Sequence, residues 1–186
     1  MTPNTPPVTT PAAAITAAEI KKLLKLQPHQ REGGWYVRTY ESDDHIGQAA
    51  LELRYLQRGG GGPRRTGTAI YYLLEPDTFS EMHRLASDEI FHFYLGDPVE
   101  MLQLLPDGST HTVILGNDLA AGHTPQLVVP HSVWQGSRLV AGGQFALLGC
   151  TVSPGFEYED YESAPRATLC AQYPAQAAMI TQLTRS

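Results

Sequence analysis

SEMHRLASDEIFHFYLG, Ser80 to Gly96, is the stretch on which the fold turns. Its second half, EIFHFYLG, is a short aromatic and β-branched run closed by the turn signal Gly96-Asp97-Pro98, which is a strand pattern. Working outward, TAIYYLLE (68–75) is a continuous apolar run of the kind a buried strand makes. VEMLQLLP, HTVILG, PQLVVP, SRLVAG and FALLGCTVS follow, separated by Glu75-Pro76-Asp77, Pro106-Asp107-Gly108, Gly116-Asn117-Asp118 and Gly142-Gly143. Short strands recurring about every ten residues between such turns predict an all-β chain, an antiparallel sandwich or barrel.

The flanks differ in texture. Residues 1–14 are rich in Pro, Thr and Ala and read as a disordered tail. Thr16 with Glu19 three residues on is a capping box, opening a helix whose face is Ile20, Leu23, Leu24 and Gln27 and which Pro28 ends. WYVRTYE (35–41) alternates as a strand, with Trp35, Val37 and Thr39 on one face and Tyr36, Arg38 and Tyr40 on the other. A second helix is expected from about Pro174, with Ala178 and Leu183 covering one end of the barrel. Residues 15–186 read as a single domain.

Bulk numbers exclude several classes. At 186 residues and 42% hydrophobic residues the chain can bury a sizeable core and is not disordered throughout. A net charge of −6 argues against nucleic acid as a partner. The one basic cluster, Arg64–Arg65 after the glycine run Gly59–Gly62, reads as a mobile loop tip, not a P-loop. No apolar run is long enough for a membrane span, and the N-terminus has no signal-peptide pattern, so a cytoplasmic location is expected. Cys150, in ALLGCTV, reads as a buried small hydrophobe. Cys150 and Cys170 can pair, but two cysteines in a chain this long make no disulfide scaffold.

The chemistry concentrates at the head of EIFHFYLG. A carboxylate at the start of a buried strand is costly unless paired or functional, which singles out Glu89. His83 sits six residues earlier in a polar segment between two apolar strands, where barrel-mouth sites are built. Alternation carries Phe91 and Phe93 inward with Glu89 and turns Ile90, His92 and Tyr94 away. That leaves His92 as a hydrogen-bonded residue between layers or at a subunit interface, unless a bulge reverses the parity. In VVPHSVWQ (128–135), Trp134 offers an apolar wall or simply core, and Gln135 an amide to orient a ligand; His131 reads as a turn residue at the rim. Gly33-Gly34 before Trp35 imply a tight turn or close backbone approach. The Tyr36/Arg38/Tyr40 face either meets an anionic or sugar-like ligand or is the solvated side of an edge strand or a dimer contact.

EGGWYVRTYES, TAIYYLLEPDTFSEMHRLASDEIFHFYLGDP, PQLVVPHSVWQGS and LLGCTVSPGFEYEDYE, in that order, resemble the cupin-5 family of small single-domain cupins. The resemblance runs from about residue 15 to the end. It implies a double-stranded β-helix jelly roll with short flanking helices at both termini, and usually a homodimer. Related folds include dTDP-4-dehydrorhamnose 3,5-epimerase and metal-dependent dioxygenases and isomerases. The general cupin metal pattern, laid on this sequence, puts its first His on His83, its Glu on Glu89, its second His near Leu85 and its third His on Gln135. The metal set would then be His83, Glu89 and Gln135, with Leu85 unable to ligate, so the expectation is no cofactor, with a divalent metal as the alternative.

The function expected is small-molecule binding with metal-independent epimerase or isomerase chemistry next to a carbonyl, on a sugar-like or carboxylated substrate. His83 would be the base, oriented by Glu89. Tyr36 or Tyr94 would be the acid, and Arg38 would hold a phosphate or carboxylate. Phe91, Phe93, Trp134, Gln135 and His92 are the further ligand-contact candidates. A non-catalytic ligand-binding protein and a divalent-metal-dependent lyase or dioxygenase are the alternatives.

Overall fold

In a computed structural model the described residues are 15–56 and 62–185; the N-terminal tail lies outside them. Helix α1 (Ala17–Leu24) begins at the predicted capping box: Thr16 Oγ1 accepts the Glu19 N–H, and the Glu19 carboxylate accepts the Thr16 N–H at 2.9 Å. It ends at Lys25, which adopts the left-handed conformation, three residues before Pro28. Strand β1 (Gln27–Pro28) takes up the chain from there, so Pro28 is not the terminator and Leu26, not Leu23, joins Ile20 in the core. The chain continues through β2 (Trp35–Glu41), β3 (His45–Ile46), α2 (Leu53–Leu56), β4 (Arg64–Arg65) and β5 (Thr68–Leu74). Next come β6 (Phe79–Arg84), β7 (Asp88–Gly96), β8 (Val99–Leu104), β9 (Thr110–Leu115), β10 (Gln126–Val129), β11 (Trp134–Leu139) and β12 (Ala146–Ser153). Strand β13 (Glu162–Ser163), α3 (Arg166–Gln172) and α4 (Ala177–Gln182) close it.

Two antiparallel sheets result, ordered β1-β2-β5-β12-β7-β10 and β13-β6-β11-β8-β9, with β3-β4 as a separate ribbon. Their inner faces meet around Tyr72, Leu74, Phe91, Leu148, Val99 and Met101. The outer face of the larger sheet receives Ile20 and Leu26 against Leu73 and Leu147. The outer face of the smaller sheet, with Met82, Leu102 and Leu104, packs on Leu169, Ile180 and Leu183. The C-terminal cover therefore starts earlier than expected and breaks in a tight turn at Pro174–Gln176. Within it Leu183 is buried as predicted, but Ala178 is exposed. No helix among the described residues is long and apolar enough to cross a membrane.

Arg64 is no loop tip. Its guanidinium is buried, donating from Nη2 to Asp160 Oδ1 at 3.1 Å, because a charge inside the protein must be paired. Arg65 donates to the Ser42 carbonyl and pairs with Glu41. Gly59 to Gly61 lie outside the described residues. Cys150 and Cys170 are both free thiols.

Candidate functional site

Strand register brings the site together. Gln135 on β11 lies directly opposite His83 on β6, and Glu89 on β7 faces Val152 on β12 and Val129 on β10. Glu89, Phe91 and Phe93 point inward, as alternation predicts. The one irregularity in the β7–β12 pairing falls at Leu147/Leu148, where Tyr94 is left unopposed, beyond the site. Parity therefore holds across Glu89–Phe93 and reverses only afterwards, sending Leu95 to the α1 side.

His83 is 1% exposed and both ring nitrogens are engaged. Nδ1 sits 2.7 Å from the Glu81 carbonyl, which makes it the N–H donor. Nε2 lies 2.9 Å from Gln135 Nε2, and the same amide nitrogen donates to Glu89 Oε2 at 3.2 Å. Cys150 Sγ is 3.7 Å from Glu89 Oε1, and burial beside that carboxylate pushes the thiol well up. The Tyr161 ring stacks on the imidazole with centroids 4.9 Å apart, its phenol also raised by burial. Burial pushes the His83 pKa down, but the Glu32 carboxylate, the Glu89 carboxylate and the Glu81 carbonyl outweigh it and raise it to about 9. The amide as found suits a neutral ring. Protonating Nε2 requires Gln135 to turn and present Oε1, which otherwise has no hydrogen-bond partner among the described residues.

Glu32 comes from the turn that sequence reading noticed only for its glycines. Gly33 and Gly34 take φ of 95° and 66°, and a Cβ on Gly33 would stand 2.4 Å from the Phe79 carbonyl oxygen. That approach places Glu32 against β6, where Ser80 Oγ donates to Oε1 at 2.7 Å and the Glu81 N–H donates to the Glu32 carbonyl. His29 accepts the Glu32 N–H at Nδ1, so its proton is on Nε2, and burial holds its pKa below the usual range. Residue types alone flagged neither Glu32 nor His29; the glycine pair was the available signal.

These groups line a cavity between the sheets, about 540 Å³ including its open mouth, with His83, Glu89, Glu32, Phe91 and Cys150 inside and Tyr36, Arg38 and Tyr158 toward solvent. Ile70, Val152 and Phe156 supply apolar wall. Tyr36 and Arg38 reach it as the β2 alternation predicts. Tyr40 does not: a bulge at Thr39 shifts the β2–β5 register after Arg38 and leaves Tyr40 55% exposed.

Four other expected contacts fall elsewhere. Trp134 packs in the outer cluster with Leu169 and Tyr173, under the Arg84 guanidinium at 4.5 Å, because neighbours on a strand cannot both face inward and Gln135 takes the inner side. Phe93 is core and not cavity wall. His92 lies on the outer face, 3.3 Å from both Gln126 Nε2 and Thr151 Oγ1. Tyr94 stacks on His92 there, 46% exposed, so the acid role considered for it has no geometric basis. His131 is a rim residue whose N–H donates to Asp88 Oδ1.

The metal set does not fit. His83 Nε2 and Glu89 Oε2 converge to 3.8 Å, but the Gln135 amide bridges them by hydrogen bonds. Leu85 is apolar core, and no group of three His, Cys, Asp or Glu side chains among the described residues is placed to hold an ion.

Residues 18–164 match the Cupin superfamily (DUF985) family, and the chain belongs to it. It is 30% identical over 139 residues to the uncharacterized protein YML079W of Saccharomyces cerevisiae, covering 70% of this chain and 67% of that one. The structure is similar to protein SO0799 of Shewanella oneidensis, with 34% identity, a TM-score of 0.78 and coverage of 92% and 99% of the two chains. A hypothetical protein from Leishmania major gives 31%, 0.81, 92% and 100%. Bacillus subtilis oxalate decarboxylase, at 12% identity, a TM-score of 0.50 and coverage of 86% and 38%, shares the fold alone.

Proposed function

We propose that this cupin binds a small molecule in the His83–Glu89 cavity and catalyses proton transfer beside a carbonyl, an epimerisation or isomerisation run by its own acid–base groups. One observation carries the reading. The imidazoles of His83 and His29 and the carboxylates of Glu89 and Glu32 stand together in a cavity that opens to solvent and whose remaining wall is largely apolar. Burying such groups costs several kcal/mol, by rough measure, and serves function more readily than folding.

The roles differ from those expected of the residue types. Since Glu81 and Gln135 occupy both nitrogens of His83, Glu89, whose oxygens keep acceptor capacity beside the Gln135 amide and the Cys150 thiol, acts as base, and His83, charged once Gln135 has turned, is its charge partner. The Glu89 carboxylate takes the C–H proton, and the electron pair moves onto the carbonyl oxygen as an enolate. Tyr36, whose phenol lies 3.5 Å from that of Tyr158, returns a proton to the carbon and is reprotonated from solvent through the mouth, and Glu89 releases the proton it took to solvent by the same route. Binding without turnover is the second reading, favoured by the same occupied nitrogens.

The two separate in D₂O. Dihydroxyacetone phosphate, fructose 6-phosphate and pyruvate, incubated with the protein, are expected to include one that exchanges the proton beside its carbonyl, read by proton NMR. Glu89→Gln should slow that exchange by roughly 10²–10⁴-fold. Exchange undiminished in Glu89→Gln removes Glu89 as the base. Ligand binding with no exchange in the native protein leaves the non-catalytic reading.

A further inference from the structure

Polarity in the cavity is sorted by depth. Its inner polar wall is acceptor-rich: Glu89 and Glu32 are carboxylates, and an ionised carboxylate accepts about four hydrogen bonds and donates none. Against that capacity Glu89 receives the Gln135 amide and the weak Cys150 thiol, and Glu32 receives the Ser80 hydroxyl. His83 offers the interior no spare N–H, its nitrogens being engaged by Glu81 and Gln135, and the one ring N–H among the other lining groups, His29 Nε2, faces Glu32 Oε2 at 3.9 Å.

The rim is the reverse. Arg38 spends one N–H on Glu41 at 3.1 Å and holds five donors in all. The phenols of Tyr36 and Tyr158 stand beside it, and the Arg31 guanidinium lies 5.0 Å from the Tyr158 ring centroid. A chain of net charge −6 thus turns a cationic, donor-bearing rim toward whatever enters. The interior is small and walled by Ile70, Val152 and Phe156, which suits a short group of a few heavy atoms.

We infer that the cavity takes a small hydroxylated anion, its carboxylate or phosphate held at Arg38 and its hydroxyls donating inward to Glu32 and Glu89. This rests on reading the cavity as the ligand site and not on turnover.

Isothermal titration with four probes tests it: glycerate, glycerol 1-phosphate, glycerol and propanoate. Glycerate and glycerol 1-phosphate carry both features, and whichever binds more tightly tells carboxylate from phosphate. At least one is expected to bind about tenfold or more tightly than glycerol, which lacks the anion, and than propanoate, which lacks the hydroxyls. Arg38→Gln should weaken that probe by about tenfold or more, since a charge-assisted contact is lost. Arg38→Lys, which keeps the charge, should retain part of the affinity and guards against a folding defect. Glycerol or propanoate binding as well as the hydroxylated anions overturns the inference. So does equal affinity in Arg38→Gln, or no binding of either anion up to about 10 mM. Glycerate bound by a protein that shows no deuterium exchange keeps the ligand class and refutes the proton transfer; exchange of dihydroxyacetone, run beside its phosphate, with no exchange of the phosphate does the opposite.

Discussion

At the scale of the residue, His83 decides most. Its folded pKa, about 9, stands above the 6.5 of a free imidazole, because Glu32 and Glu89 outweigh the cost of burial. The unfolded ring gives up its proton near 6.5 and the folded ring keeps it until about 9. The stabilisation is therefore complete below pH 6.5 and is lost as pH rises through about 9. It amounts to about 3 kcal/mol on the linkage of 1.36 kcal/mol per unit. Chemical denaturation from pH 6 to 10 should show that fall in the native protein and a smaller one in His83→Asn, where His29, Cys150 and Tyr161 still titrate differently on folding. A native fall no larger than the variant's removes the imidazolium. Gln135 follows from the same geometry: its amide must turn when the ring charges.

At the scale of the element, the turn before β2 and two strand irregularities set what reaches the cavity. The Gly33 backbone passes so close to β6 that no side chain fits, and this passage delivers Glu32. Gly33→Ala imposes both a left-handed φ and a clash with the Phe79 carbonyl. It is expected to cost at least about 1–3 kcal/mol in urea denaturation. An unchanged midpoint shows the turn to be adaptable. The Thr39 bulge falls after Tyr36 and Arg38, which stay at the cavity mouth, and turns Tyr40 away, and the Tyr94 irregularity falls late enough to spare Glu89 and Phe91.

At the scale of the whole molecule, the larger sheet ends at β10, whose outer edge pairs with no strand among the described residues. Its outer face near that edge carries Tyr94 and Val128, both exposed, beside His92 and Gln126. An uncharged strand edge and face of this kind favour pairing with a second copy. Light scattering at micromolar concentration is expected to give a mass near twice 20.4 kDa; a clean monomer refutes it.

The sequence by itself determined the sheet-rich architecture, the cupin family and the inward face of β7. These follow from local periodicity, turn chemistry and blocks of residues in order, which a linear text carries. Glu89 was legible because a carboxylate opening an apolar strand is expensive, and His83 because it stands in a polar segment between two apolar runs, although that segment is itself strand β6 and buries His83. Only the tertiary structure decided which residues share the cavity with them. Glu32 and His29 arrive from a turn more than 50 residues away, and Tyr161 and Tyr158 arrive from the far side of β12. Trp134 and Tyr40 leave through strand alternation and a bulge. Cross-strand register, bulges and close backbone approach depend on partners distant in sequence, and no local pattern encodes which side chain finally meets the imidazole.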